Sequence, residues 1–424
     1  MRILQIGKYY SPYKGGFESS LSVLVNEIRK SVTVQLSEEP HHRPGFPAKP
    51  FLIAGGIPHD LSLAERENLP YGLVGVLPRG KLLEKGLRVY VLASHTRASM
   101  AIERDKNIII IRLAKFGQLF SQPINLGFWF WIKRIRADLI HLHLPNPLAM
   151  FSLLLASPKA RLIISYHNDI LRPKWAMPAL RFFLHQVLDK ADAIVVTSDN
   201  LIHSSKALTR FKEKCRVIPH GIDLKRFSLN GEVLREAGKI KNKCRKPVIL
   251  FVGRLVYYKG LKYLLKAMRD IDAELIIVGS GPLKRRLQLL ASRYEVTKRV
   301  SWAGEVPDGL LPAYYYACDL FVLPSCFNSE SFGLVILEAH ACGKPLISTN
   351  LSTGVTFTNL HQRTGLVVPP KNSGALAEAV NSLLNSRQLR EEYGQNGRAR
   401  AEEEFNKEKM AQKFLTLYNT ISKN

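Results

Sequence analysis

The chain has 424 residues, 46% of them hydrophobic, and 61 lysines and arginines against 35 aspartates and glutamates, a formal net charge of +26. That length exceeds one ordinary core and points to two domains of about 200 residues each; no run of about 20 apolar residues marks a membrane-spanning helix, and the opening MRILQIG reads as a strand, not a secretory signal. The excess of cations seeks polyanions, yet no RNP-like aromatic strand or zinc-finger spacing marks a nucleic-acid module, which leaves a phosphorylated ligand or an anionic membrane surface. The five cysteines (215, 244, 318, 326 and 342) lack C-x-x-C spacing, which argues for a reducing compartment and against structural zinc.

In chain order, RILQIG (2–7) predicts a strand and ESSLSVLVNEIRK (18–30) a helix. Five prolines between 40 and 58 exclude a helix or central strand there, and roughly 38–80 reads as an inserted loop region. Strands are predicted at 86–94, 107–113, 137–143, 161–167, 192–198 and 215–221. A basic stretch, 224–246, carries no strand signal and reads as a linker. Beyond it, strands at 247–255, 273–281, 299–305, 320–325 and 344–349 alternate with helices over 260–270, 282–294, 310–319 and 331–343. A last helix covers about 407–421. Such alternation predicts an α/β fold of two doubly wound parallel sheets, each covered on both faces.

In open parallel sheets, ligands bind outside the carboxyl ends of the strands. Those ends carry Gly15 and Gly16, His167, Arg254 and Lys259, and Glu330. Glu330 and Glu338 are eight residues apart in NSESFGLVILEAHACGKP. Eight residues of helix span about 12 Å, a separation suited to the two ends of an extended ligand. The peptide N–H groups of Phe332, Gly333, Leu334 and Val335 open that helix and form a ready anion site. Carboxylate, anion site, carboxylate is the layout of a sugar, a diphosphate and a ribose; a helix-dipole glutamate plus an exposed one would give the same spacing. Arg254 forks onto phosphate oxygens and Lys259 adds a point charge, or the two form a solvated pair. Gly15-Gly16 lets backbone approach a phosphate, or is a plain turn. His141 and His143 share one strand face without a third metal ligand and read as satisfied strand histidines. Asp270-x-Asp272 lies at a helix end away from the cleft edge and reads as structural. The aromatic and basic segments 127–136 and 172–190 read either as core helices with charged outer faces or as membrane-surface helices.

Taken together, GGFE, YHND, VGRLVYYKG, VGSGP, ACDLFVLPS and ESFGLVILEAHACGKPLI resemble, in order, the retaining glycosyltransferases of family 4, which have the GT-B fold of two Rossmann-like domains facing a cleft. HLHLPNPLA and STNLSTGV are similar to the mannosyl- and rhamnosyltransferases of bacterial O-antigen and exopolysaccharide assembly. The resemblance implies an acceptor-side domain over 1–223 interrupted by 38–80, a linker over 224–246, a nucleotide-sugar domain over 247–406, and a final helix, 407–424, crossing back to the first domain. It implies Glu330 at the donor sugar, Glu338 at the ribose, Arg254, Lys259, the Gly16 backbone and the 332–334 amides at the diphosphate, and His167 near the transferred sugar. His220 stands where the family usually has Asn. The expected activity is retaining, metal-independent transfer of a sugar, most simply mannose from GDP-mannose, to a lipid-linked or glycan acceptor, with no cofactor. The enzyme would be cytoplasmic and peripheral on the inner face of a membrane. A UDP-sugar-dependent transferase, an epimerase of the same fold and a non-catalytic membrane-surface protein remain open readings, and Lys259→Ala is expected to stop turnover without unfolding the chain.

Overall fold

The computed structural model describes residues 1–11, 21–30, 87–119, 122–169 and 177–423. The Gly15-Gly16 pair and the 38–80 insertion lie outside the described residues. In the first half, β1 (Arg2–Ile6), β2 (Arg88–Ser94), β3 (Ala101–Asp105) and β4 (Ile108–Leu113) are followed by a hairpin, β5 (Gly117–Leu119) and β6 (Gln122–Ile124). Then come β7 (Leu139–Leu144), β8 (Arg161–Tyr166), β9 (Ala193–Val196) and β10 (Cys215–Val217). The second half holds β11 (Val248–Val252), β12 (Glu274–Val278), β13 (Val300–Gly304), β14 (Leu320–Leu323), β15 (Leu346–Thr349) and β16 (Gly365–Val368). Central strands such as β7 and β11 are buried at every residue, as β-branched and leucine-rich runs must be when helices cover both faces of a parallel sheet.

The first sheet runs β10-β9-β8-β7-β1-β2-β4-β3, parallel except where β3 pairs antiparallel with β4. The second runs β13-β12-β11-β14-β15-β16, parallel throughout. In each, the chain starts in the middle and winds outward both ways. The strand order therefore reverses between β1 and β7 in one sheet and between β11 and β14 in the other. At such a switch point neighbouring loops diverge and leave a crevice at the carboxyl ends.

The stretch 224–246 is not a bare linker. It forms a short 3-10 turn, Leu224–Phe227, and a helix, Gly231–Lys241. Val233 and Ala237 pack on Ala313 and Ala317 of the helix Leu311–Ala317, and Phe227 is buried in the second core. Its basic residues hid an apolar face only two residues wide. At the other end, the helix Lys407–Lys423 lies on the first sheet, with Met410, Ala411, Phe414 and Tyr418 in the core formed by β1, β2 and the helix over 21–30. The strap is tied down where Ile222 N–H donates to Phe405 O (2.7 Å) and Lys407 reaches Asp223 (2.5 Å) and Glu27 (3.5 Å). Because this helix completes the first core from the far end of the chain, Phe414→Ala should cost about 3–5 kcal/mol of stability, measured as a lower urea midpoint. An unchanged midpoint would mean the helix is not part of that core.

Candidate active site

The carboxyl ends of β11 and β14, the two strands at the second switch point, carry the site. Gly253 and Arg254 follow β11; a 3-10 turn, Tyr257–Lys259, then brings Lys259 back over the sheet edge. Gly260 closes that turn at φ +69°, and a Cβ there would collide with the carbonyl oxygen of Pro324, just after β14. Only glycine allows both the left-handed conformation and the close approach. The result is a contact that no spacing rule reports: Lys259 Nζ lies 2.6 Å from Glu330 Oε2, with both side chains only 9% exposed. Ser325 Oγ also donates to Glu330 Oε2, at 2.9 Å. A carboxylate taken from water this far is tolerable because it is paired and hydrogen-bonded.

Glu330 is not in the helix, as the spacing argument assumed. The helix is Leu334–Ala341, capped by Gly333 at φ +76°. The loop 330–333 therefore wraps past the helix start, and the 12 Å figure for two carboxylates on one helix does not apply. None of the N–H groups of Phe332, Gly333, Leu334 and Val335 donates to another group among the described residues; the first backbone donor with an acceptor is Ile336, to Gly333 O at 2.8 Å. Open amides at a helix start are donors available to an anion. Arg254 is exposed and its guanidinium has no partner among the described residues. It is close enough to act electrostatically, with Lys259 and Glu330, on Tyr258. Glu338, one turn into the helix, is half-buried; Tyr315 O–H donates to its Oε2 at 2.7 Å. Burial pushes its carboxyl above the usual carboxylate range despite that bond. Ser325 and Tyr315 hold the two glutamates in place; both were overlooked in the sequence, although Ser325 directly follows β14 in LFVLPS.

The opposing wall comes from the first sheet. His167 follows β8 and is buried. The next residue, Asn168, donates through Nδ2 to Ser329 O (3.4 Å), one residue before Glu330. The His167 ring stacks on His220 (5.5 Å between centroids), which meets Phe332 edge-on at 4.9 Å. His167, the loop 329–333 and Lys259 thus converge from two sheets. Asn200 adds a further tie, to Thr353 O and Thr356 Oγ1 at 3.1 and 2.9 Å.

His141 and His143 are satisfied strand histidines, and they extend the stack. Gln5 Nε2 donates to Tyr418 Oη (2.9 Å), so Tyr418 O–H must donate to His141 Nδ1 (2.7 Å), and His141 Nε2–H to Ser165 Oγ (2.7 Å). On the other side Gln5 Oε1 accepts from His143 Nε2–H (3.2 Å), leaving His143 Nδ1 to accept from His167 Nε2–H (3.1 Å). The final helix, through Tyr418, therefore fixes the ring of His167 at the cleft. Among the described residues no cluster of three metal-ligating side chains occurs, and Asp272 pairs with Lys246 at the surface, away from the site.

Two doubly wound, Rossmann-like sheets facing a cleft are the GT-B construction, and the fold agrees with sucrose-phosphate synthase from Thermosynechococcus elongatus (TM-score 0.73, 22% identity, 99% of this chain and 98% of that one). A model of Glycosyltransferase Family 4 matches residues 80–226, and one of Glycosyl transferases group 1 matches 234–400. The chain is 33% identical to the O-antigen chain mannosyltransferase C of Escherichia coli, over 72% of this chain and 81% of that protein. It is 34% identical to the D-rhamnosyltransferase WbpZ of Pseudomonas aeruginosa (68% and 75%). It is 31% identical to a GDP-mannose-dependent alpha-(1-6)-phosphatidylinositol monomannoside mannosyltransferase of Mycobacterium tuberculosis (58% and 68%). The chain belongs to glycosyltransferase family 4.

The histidine stack gives the molecule a defined acid response. Burial holds His141 at about 3 and His220 at about 4, and pushes His143 and His167 well below the ordinary imidazole value. The unfolded chain then binds more protons than the folded one between roughly pH 6.5 and those depressed values, so stability is intact above the unfolded pKa and falls as pH drops. Each such group contributes up to about 1.4 kcal/mol per pH unit inside that window. Thermal unfolding should show a Tm that declines steadily below about pH 6.5; a Tm that holds or rises on acidification to pH 5 would contradict it.

Proposed function

We propose that the enzyme transfers mannose from GDP-mannose, with retention of anomeric configuration, to a lipid-linked or glycan acceptor in the synthesis of a cell-surface polysaccharide. The observation that carries this reading is the buried Lys259–Glu330 pair beside the open amides of 332–335 at the switch point. The choice of sugar and base is supported by the names of the mannosyl-transferring relatives. In the reaction the bond from the sugar C1 to the β-phosphate oxygen breaks, and its electron pair leaves with the diphosphate. An acceptor hydroxyl bonds to C1 and gives up its proton to the departing phosphate oxygen on the same face. Lys259, Arg254 and the helix-start amides stabilise the charge that grows there, without a metal ion. Glu330, held by Lys259 and Ser325, offers Oε1 to sugar hydroxyls, and Glu338 with Tyr315 suits the ribose diol. His167 closes the sugar site from the opposite wall. The cationic surface holds the enzyme peripherally on the cytoplasmic face of an anionic membrane, where a lipid-linked acceptor resides.

The ion pair changes the expectation for Lys259→Ala. Removing the lysine strands Glu330 as a buried charge, at a cost of about 3–5 kcal/mol in stability, so loss of activity there would be ambiguous. Lys259→Gln keeps an N–H donor for Glu330. It should remain folded while kcat falls about 10²–10³-fold, the range for one lost donor to a developing anion; a wild-type kcat would contradict the proposed role. Donor choice is tested by thermal shift with GDP, UDP and ADP. A saturating ligand at 100 times its Kd adds about 2.7 kcal/mol, so GDP should raise Tm the most; a larger shift with UDP would replace the guanosine reading with a uridine one.

A further inference from the structure

An apolar surface on the first half of the chain has a place in the fold that the reaction does not explain. Phe116, Leu119, Ile124, Leu126, Trp129 and Phe130 are exposed, Leu126 by 80% and Phe116 by 70%, and all come from 15 consecutive positions. Their setting is a helix, Gly127–Arg134, preceded by the β5–β6 hairpin. The helix is apolar on both sides. Phe128, Trp131 and Ile132, with Ile135, turn inward onto the core on the face of the first sheet opposite the helix Lys407–Lys423, against the helix Pro147–Ala156. Leu126, Trp129, Phe130 and Lys133, one or two positions away at three- and four-residue intervals, form the outward face. Packing inward is complete, so the outer aromatics are not there to build the core.

The charges within this stretch of chain are all cationic. From 107 to 137 the chain contains no aspartate or glutamate, while Lys133, Arg134 and Arg136 are exposed and Lys115 is half-buried. Lys133 Nζ lies 4.5 Å from the Trp129 ring and the Arg134 guanidinium 5.8 Å from that of Phe130. Aromatic rings with flanking cations suit the boundary between acyl chains and anionic headgroups, where the ring enters the apolar layer and the charge stays at the phosphate level.

Its orientation is fixed by the sheet. The hairpin follows the carboxyl end of β4, and Asn125 Nδ2 donates to Ser94 Oγ at the carboxyl end of β2 (2.8 Å), both buried. The helix then runs back toward the start of β7. Its most apolar end therefore lies on the cleft side of the first sheet, and Lys133 and Arg134 lie at the far side.

We propose that the outward face of the helix Gly127–Arg134, with Phe116, Leu119 and Ile124 of the hairpin segment, is the lipid-docking surface of this enzyme: a wedge for an anionic bilayer that turns the acceptor-side rim of the cleft toward the membrane. The inference rests on the membrane reading given above and locates it. Flotation with phosphatidylcholine vesicles, with and without phosphatidylglycerol, tests it on the full chain. The wild type should bind the anionic vesicles and not the zwitterionic ones. Trp129→Ser/Phe130→Ser should weaken that binding by about tenfold or more, and Lys133→Glu/Arg134→Glu should abolish it. Both variants should keep the wild-type unfolding midpoint and full transfer to a water-soluble acceptor, since the four side chains are exposed and outside the cleft. Variants that bind anionic vesicles as tightly as the wild type would overturn the assignment while leaving membrane binding to another face. A wild type that binds neither vesicle would remove the membrane reading itself. Self-association of the wild type in vesicle-free buffer, lost in the aromatic variant, would also overturn the proposal and give the face to a second copy of the chain.

Discussion

A lysine and a glutamate buried against each other, 2.6 Å apart at the end of two neighbouring strands, organise the second half of this molecule. Removing two charges from water is costly, and a hydrophobic pair of the same size would hold the fold at least as well. What the pair provides is a fixed cation and a fixed acceptor at the one place in the sheet where the loops diverge. Gly260 makes the turn that presents the lysine, Ser325 supplies the second bond to the carboxylate, and Gly333 starts the helix late enough for its first amides to face the same space. Arg254, exposed, follows the same strand as the lysine.

The first half of the chain supplies the opposing wall, and its geometry is set from the far end of the sequence. The last helix inserts Tyr418 into a hydrogen-bonded line of Gln5, His141, His143 and His167, all of them buried. The ring nitrogens of His141 and His143 that accept in that line require neutral rings, so the same burial that aligns His167 also makes the wall sensitive to acid. His220 joins the stack and carries it to Phe332 in the opposite half.

Much of this was legible in the sequence. Long apolar runs at β1, β7, β8, β11 and β12 announced a doubly wound parallel fold, and chemically apt residues at strand ends marked Lys259, Arg254, His167 and Glu330 as candidates, because period and punctuation are local signals. What failed was non-local or marginal. β3 is a charged antiparallel edge, AIERD, and β16 is a four-residue edge, GLVV, both too short for their pattern to stand out. The helix start was misplaced because a single left-handed glycine, Gly333, decides it. That Lys259 meets Glu330 follows from the pairing of β11 with β14 across some seventy residues of intervening chain, which no spacing encodes. The same holds for Tyr418 reaching His141, and for the aromatic helix 127–134, whose outward face only the packing of its inward face reveals.

The measurement that bears most directly on the central claim is a structure of the enzyme with a nucleoside diphosphate bound. The account predicts the β-phosphate within hydrogen-bonding distance of Lys259 Nζ and of the amide N–H groups of Phe332–Val335, with the Arg254 guanidinium turned onto its oxygens and the ribose hydroxyls on Glu338. A diphosphate bound elsewhere, out of contact with Lys259 and the helix-start amides, would contradict it.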